Sequence, residues 1–188
     1  MMIEVEIKAE IQKNKTIILK EYLKCHGFTA VGTNIQEDVY YEHPSKSFDD
    51  TDEALRVRRS VVPEGEAEIL LTYKGCNRSE VGQTRKELEC TVSNADILNS
   101  ILLELGFSPS TSVKKVRSSF SRDDIIVSID EVEELGSFIE LEIMCAEGYE
   151  NDCEKRVDEL LNDLRFAYPV INNSTYLELI RGKAKASE

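Results

Sequence analysis

Imidazole is scarce in this sequence: of 188 residues, only His26 and His43 carry it. His26 falls at an expected helix end and His43 precedes Pro44, so neither a histidine metal centre nor a Ser-His-Asp type of triad is supported. The five cysteines (Cys25, Cys76, Cys90, Cys145 and Cys153) are odd in number and include no Cys-x-x-Cys pair. That argues against a disulfide framework or a zinc ribbon and for reduced thiols in a cytoplasmic protein. No run approaches the ~20 apolar residues that a membrane span needs. The apolar positions after Met1 are broken by Glu4, Glu6 and Lys8, which is not the pattern of a signal peptide. Positive charge is also in deficit, with 23 Lys and Arg against 36 Asp and Glu, a formal net charge of −13. An acidic exterior repels nucleic acid and anionic membranes. Any phosphate site must then be local, enclosed and built from a clustered minority of cations.

What the chain does have is alternation. In its first ten residues Ile3, Val5 and Ile7 alternate with Glu4, Glu6 and Lys8, the period of a strand with one apolar and one charged face. The pattern returns where Val57 separates Arg56 from Arg58, Leu88 separates Glu87 from Glu89, Val116 separates Lys115 from Arg117, and Leu141 separates Glu140 from Glu142. Lys74 shares its parity with Thr72, and Arg85 with Glu87 and Glu89.

Taken in order, the patterns predict eight strands: the opening segment, then Glu37 to Glu42, Ala54 to Val62, Ala67 to Lys74, Thr84 to Val92, Val113 to Phe120, Ile125 to Val132 and Phe138 to Met144. Amphipathic helices are expected at 14–26, stopped by Gly27; at 94–105, capped by Ser93 and stopped by Gly106; and near Asn151 to Phe166. A short helix from about Thr175 to Ile180, capped by Ser174, closes the chain. His43 to Glu53 reads as a polar loop, and Gly75 to Gln83 as a glycine-bearing loop suited to a flap. Glu-x-Glu strands precede helices three times, so two related halves closing one barrel is the economical architecture. The length suits one domain, over 1–181, with a polar tail at 182–188.

The helices need the aliphatic faces, which leaves the charged faces for the barrel interior. A dry interior is excluded by magnitude. Each unpaired buried charge costs several kcal/mol, against a total stability of about 5–15 kcal/mol. The lumen must therefore be wet and its charges must bind something. Arg and Lys suit phosphoryl oxygens, but the carboxylates beside them repel the same ligand. A bridging Mg²⁺ or Mn²⁺ resolves that conflict, and the expected ligand is a metal–triphosphate.

These segments, in this order, resemble the CYTH superfamily of triphosphate tunnel metalloenzymes, which includes class IV adenylyl cyclases, thiamine triphosphatases and inorganic tripolyphosphatases. Glu4-x-Glu6-x-Lys8 is similar to its signature, and Asp38-Val39-Tyr40-Tyr41 to its second-strand motif. TDEALRVRR (51–59) resembles its paired-arginine strand and Leu71-Thr72-Tyr73-Lys74-Gly75 its lysine strand. Arg85 to Glu89, Lys115-Val116-Arg117 and the run from Asp130 to Glu142 complete the series, and HPSKSFDDTDEALRVRR looks most like the archaeal cyclase-like branch.

The resemblance implies an α+β fold, an eight-stranded antiparallel closed barrel with helices packed outside. It implies Mg²⁺ or Mn²⁺ on Glu4, Glu6, Asp130, Glu140 and Glu142, and a triphosphate gripped by Lys8, Arg56, Arg58, Lys74, Arg85, Lys115 and Arg117. Lys8 and Glu6 would be catalytic, with Asp38, Glu87 and Glu89 in support. The implied partner is a small-molecule triphosphate, with no nucleic acid or membrane; a homodimer is left open. Class IV cyclases resemble one another in a His-Phe-x-Arg segment ahead of the signature, and here Met1 stands two residues before that strand. The expectation therefore leans towards hydrolysis of a phosphoanhydride bond, with cyclisation of ATP to cyclic AMP as the alternative and a non-catalytic triphosphate-binding module as a third reading.

Overall fold

The computed structural model describes residues 2–63, 65–79, 82–168 and 170–186. The elements are β1 (Met2–Ile11), α1 (Thr16–Cys25), β2 (Thr29–Glu42), α2 (Phe48–Thr51), β3 (Ala54–Val61), β4 (Ala67–Lys74), β5 (Gln83–Val92), α3 (Ala95–Glu104), β6 (Ser108–Arg122), β7 (Ile125–Val132), β8 (Gly136–Ala146), α4 (Glu150–Asp163), β9 (Val170–Ile171) and α5 (Tyr176–Ala186). Strands run in the order β5-β4-β3-β2-β6-β7-β8-β1, and β1 returns to β5, so eight antiparallel strands close a barrel. β1 is the seam. One edge pairs with β8 from Met2↔Ala146 to Ile11↔Ser137. The other pairs with β5 from Ile3↔Lys86 to Glu6↔Gln83, and the two-residue β9 continues that edge at Ala9 and Glu10.

The alternation read from the sequence decides which way each face turns. Ile3, Val5, Ile7 and Ala9 face outward with Val127, Ile129, Ile139, Leu141 and Ile143. They are covered by Leu19 and Leu23 of α1 and by Val157, Leu160, Leu161 and Leu164 from α4 and its C-cap. This is the main core, and it lies outside the barrel. α1 and α3 each give way to a left-handed glycine, Gly27 (φ 81°) and Gly106 (φ 89°), as a helix C-terminus prefers.

Several boundaries differ from the expectation for identifiable reasons. β2 begins at Thr29, eight residues early, because its first half carries Gly32 and a register shift that break the alternation. β6 likewise extends back to Ser108. Asn94, not Ser93, caps α3, its side chain accepting from the Ile97 amide. The loop after His43 contains α2, capped by Ser47. α5 continues through Gly182 to Ala186, so most of the expected polar tail is helix, while residues 187–188 lie outside the described residues. In the Gly75 to Gln83 loop, of which residues 80–81 lie outside the described residues, Asn77 accepts from the Ser79 and Thr84 amides, donates to the Ser79 and Gly82 carbonyls, and its own amide binds Asp52.

The apolar stripe of α3 does not serve as expected. Leu102 is buried, but Ile97, Ile101 and Leu105 are about half exposed or more, as is Ile35 on β2. Helices cover the β1–β7–β8 side of the barrel and leave much of the opposite side open.

Leu141 is fully buried between β8 and this helical layer. Leu141→Ala is expected to lower unfolding free energy by about 2–5 kcal/mol in urea titration; a loss under about 0.5 kcal/mol would show that this layer does not hold the barrel.

Candidate active site

The inward faces of β1 to β6 and of β8 line a cavity of about 190 Å³. Glu4, Glu6 and Lys8 enter it from β1, Arg56 and Arg58 from β3, and Lys74 from β4. Arg85, Glu87 and Glu89 enter from β5, Lys115 and Arg117 from β6, and Glu140 and Glu142 from β8. Of the residues singled out in the sequence, Asp38 and Asp130 alone do not border the cavity. They are at most 1% exposed and stand behind the cations they hold.

One side of the lumen is basic. Arg58 makes a forked pair with Asp38 (Nε–Oδ1 2.6 Å, NH2–Oδ2 2.7 Å), and Arg56 lies 3.5 Å from the same carboxylate. Burial works against ionisation of Asp38, but these two guanidinium groups outweigh it and hold the carboxyl well below its ordinary range. Asp130 plays the same part further round, accepting from Arg117 at 2.7 and 2.5 Å and from Lys115 at 3.0 Å. Arg117 also binds Glu140. Lys8, 2% exposed, reaches Glu140 only at 4.0 Å. Burial, reinforced by Arg117, lowers Lys115 to about 8. Arg56 Nε is buried with no hydrogen-bond partner among the described residues.

The other side is acidic. Glu6 stands directly opposite Glu142 across the β1–β8 ladder, a like-charge pair that ordinarily destabilises a sheet. Glu4 and Glu87 lie beside them, and Lys74 binds both, at 2.6 Å to Glu4 and 2.8 Å to Glu87. One lysine does not balance the group. Burial, with Glu6 and Glu87 adding to it against Lys74, raises the Glu4 carboxyl well above its usual range; burial and Glu6 raise Glu142. Oxygen donors short of positive charge fit a hard divalent cation. Among the described residues no three such groups already stand arranged around a metal position, and Glu4 is turned onto Lys74. Closing round a cation would require that pair to open.

Arg85 sits at the rim. It binds Gln83 and donates to the carbonyls of Gly75 (3.3 Å) and Asp52 (3.5 Å), tying the β4–β5 loop to the turn after α2. Glu89 accepts from Thr72 (2.7 Å), which accepts from Arg56 (3.2 Å), so it acts through the arginine. The sequence reading passed over Tyr40, Gln83, Thr175 and Tyr176, which also line the cavity. Tyr40 shares its parity with Asp38 and was findable. Tyr176 is not, because nothing local says that α5 folds back over the barrel end.

The CYTH domain family model matches residues 2–166. The chain belongs to the CYTH family. It is 36% identical over 180 residues to the "Putative adenylate cyclase MJ0240" of Methanocaldococcus jannaschii, covering 95% of this chain and 98% of that one. Among solved structures it is similar to PH1819 of Pyrococcus horikoshii, at 32% identity and a TM-score of 0.86 over 96% of this chain and 99% of that one. A Hippeastrum structure described as a "putative adenylyl cyclase" with a dominant triphosphatase activity superposes at a TM-score of 0.65 over 97% and 96% of the two chains. At 18% identity that likeness speaks for the fold alone. The CYTH match takes in the eight barrel strands and ends before α5.

Asp38 gives this CYTH barrel a pH signature. Its carboxyl, near 3.9 when unfolded, titrates lower when folded. Its contribution is then fully present above about pH 5 and drains away as pH falls below 4. Asp38→Ala, which strands two buried guanidinium groups, is expected to cost about 3–5 kcal/mol near pH 7. Urea unfolding should show that gap to wild type narrowing towards pH 2. A gap that is absent at neutrality or constant with pH contradicts the assignment.

Proposed function

We propose that this protein binds the triphosphate of a small molecule in its tunnel, with Mg²⁺ or Mn²⁺, and hydrolyses a phosphoanhydride bond. The observation that carries the reading is the division of the lumen into an anion-seeking side and a cation-seeking side, which meet on β1 between Glu6 and Lys8. Triphosphate oxygens belong on the first side. Arg56, Arg58 and Arg117 offer guanidinium N–H donors, those of Arg58 and Arg117 being the ones their forks to Asp38 and Asp130 leave over, and Lys8 and Lys115 offer point charges. Glu4, Glu6 and Glu142 would hold the cation, with Glu140 and Asp130 nearer the arginines. When bound, it supplies Lewis acidity towards the phosphoryl oxygens and lowers the pKa of water. The protein's own part is positional and electrostatic: the fixed cations take up the charge that spreads over the transferred phosphoryl group. Hydrolysis is ranked above nucleotide cyclisation because the cavity lining among the described residues is charged or polar almost throughout, with Tyr40 and Tyr176 as its rings, and so offers mainly phosphate partners.

Cyclisation is the second reading, favoured by the name of the Methanocaldococcus jannaschii relative. There the nucleotide's 3′-hydroxyl would attack the α-phosphorus and pyrophosphate would leave. Incubating the protein with tripolyphosphate and with ATP, with Mg²⁺ or Mn²⁺ present, and resolving the products separates the two. Orthophosphate is expected to dominate; cyclic AMP as the main product would reverse the ranking, and metal-dependent binding without turnover would leave a binding module.

Glu142→Gln and Glu4→Gln are each expected to cut metal-dependent turnover by at least about 100-fold; the unfolding transition should be unchanged or raised in Glu142→Gln, where a repelling carboxylate is gone, and lowered in Glu4→Gln, which also loses the ion pair to Lys74. Normal turnover in either variant would remove that residue from the metal site. Arg56→Ala should weaken binding of triphosphate more than of monophosphate, measured by calorimetry; equal losses would contradict a grip along the phosphate chain.

A further inference from the structure

Tyr176, the first residue of α5, touches two of the tunnel's cations, Lys8 and Lys115, from outside the barrel strands. It is 5% exposed and lines the cavity. Its ring packs edge-on against Phe138, with centroids 5.2 Å apart. The ammonium nitrogen of Lys8 lies 4.4 Å from the ring centroid and that of Lys115 lies 4.8 Å from it. Its hydroxyl donates to Asp130 Oδ2 at 2.9 Å, the same oxygen that accepts from Lys115 and Arg117.

Lys8 depends on this ring most. Among the described residues its one carboxylate neighbour is Glu140, at the 4.0 Å edge of an ion pair, and no hydrogen bond fixes its ammonium. An aromatic face attracts a cation while leaving its N–H donors free for a ligand. A carboxylate in the same place would occupy those donors.

The ring is delivered by a helix that is itself anchored. Arg181 of α5 binds Glu42 at the end of β2, Asp49 of α2, and the Ser110 and Thr111 hydroxyls of β6. Leu179 and Ile180 pack with Val113, Val132 and Phe138. The helix that closes the barrel end is thereby joined to the two lysines.

We propose, resting on the triphosphate reading above, that Tyr176 is a positioning residue. Its ring holds Lys8 and Lys115 with their donors directed at the triphosphate oxygens, which makes α5 part of the substrate site. Ring and hydroxyl separate cleanly by substitution. Tyr176→Phe keeps the aromatic face and loses the bond to Asp130; Tyr176→Leu loses both.

The test is steady-state kinetics on tripolyphosphate at saturating Mn²⁺ for wild type and both variants. It is joined to proton NMR of the Lys8 and Lys115 ε-methylenes, assigned by lysine-to-arginine substitution one at a time. Tyr176→Leu is expected to raise KM by about tenfold or more with a smaller change in kcat, and Tyr176→Phe to restore KM to within about threefold of wild type. Ring-current upfield shifts of both methylenes should be present in wild type and Tyr176→Phe and lost in Tyr176→Leu. An unchanged KM in Tyr176→Leu, or Phe as impaired as Leu, would overturn the proposal, the latter by showing that the Asp130 bond is what matters. If the Leu variant fails to fold, wild-type methylenes without the upfield shift overturn it independently. Wild type without metal-dependent triphosphate binding or turnover would instead strike the underlying reading, and the proposal would fall with it.

Discussion

A charge taken from water into protein must be answered by another charge or by water itself, and that constraint shapes this molecule. The barrel carries its acids and bases on the inward faces of its strands and its aliphatic residues on the outward faces. The greasy layer lies between strands and helices, where α1 and α4 cover β1, β7 and β8. Had the faces been reversed, the lumen would be a dry core and the helices would have nothing to pack against. The strand period of two is what keeps both requirements satisfied along every strand.

Within the lumen the charges are not simply paired off. Asp38 and Asp130 lie behind the arginines and lysines and fix them, which leaves the cation faces towards the cavity. Across the lumen, Glu6 and Glu142 face each other and Glu4 and Glu87 share Lys74. Burial, with Glu6 adding to it, raises the Glu4 and Glu142 carboxyls above their ordinary range, and burial with Arg117 lowers Lys115. Both departures are lowered by one ligand that is negative along its length and carries a divalent cation on one flank. The arrangement is costly without that ligand and consistent with it, which is why the imbalance carries the functional reading.

How much of this was legible in the sequence follows from how local each feature is. Glu4, Glu6 and Lys8, or Arg56 and Arg58, declare a shared face by spacing alone, whereas closure of the barrel rested on the echo between two halves and on the family resemblance. Which acid meets which base is not local. That Glu6 would oppose Glu142 depends on the register of the first strand against the last barrel strand, and that Asp130 would serve Arg117 depends on its own hairpin. Where alternation is interrupted, as at Gly32 in β2, the strand ran further than its pattern. The stripe on α3 misled because an apolar helix face shows that something can cover it and not that this chain does. Tyr176 was invisible because its role arises from α5 docking on the barrel end.

The central claim, that the divided lumen is a seat for a cation-bearing triphosphate, is met most directly by a crystal structure with a non-hydrolysable triphosphate and Mn²⁺, using the metal's anomalous signal. The account predicts a manganese peak against Glu4, Glu6 and Glu142, with the phosphate chain lying against Lys8, Arg56, Arg58, Lys115 and Arg117. A triphosphate bound outside the barrel, or manganese seated away from those carboxylates, would contradict it.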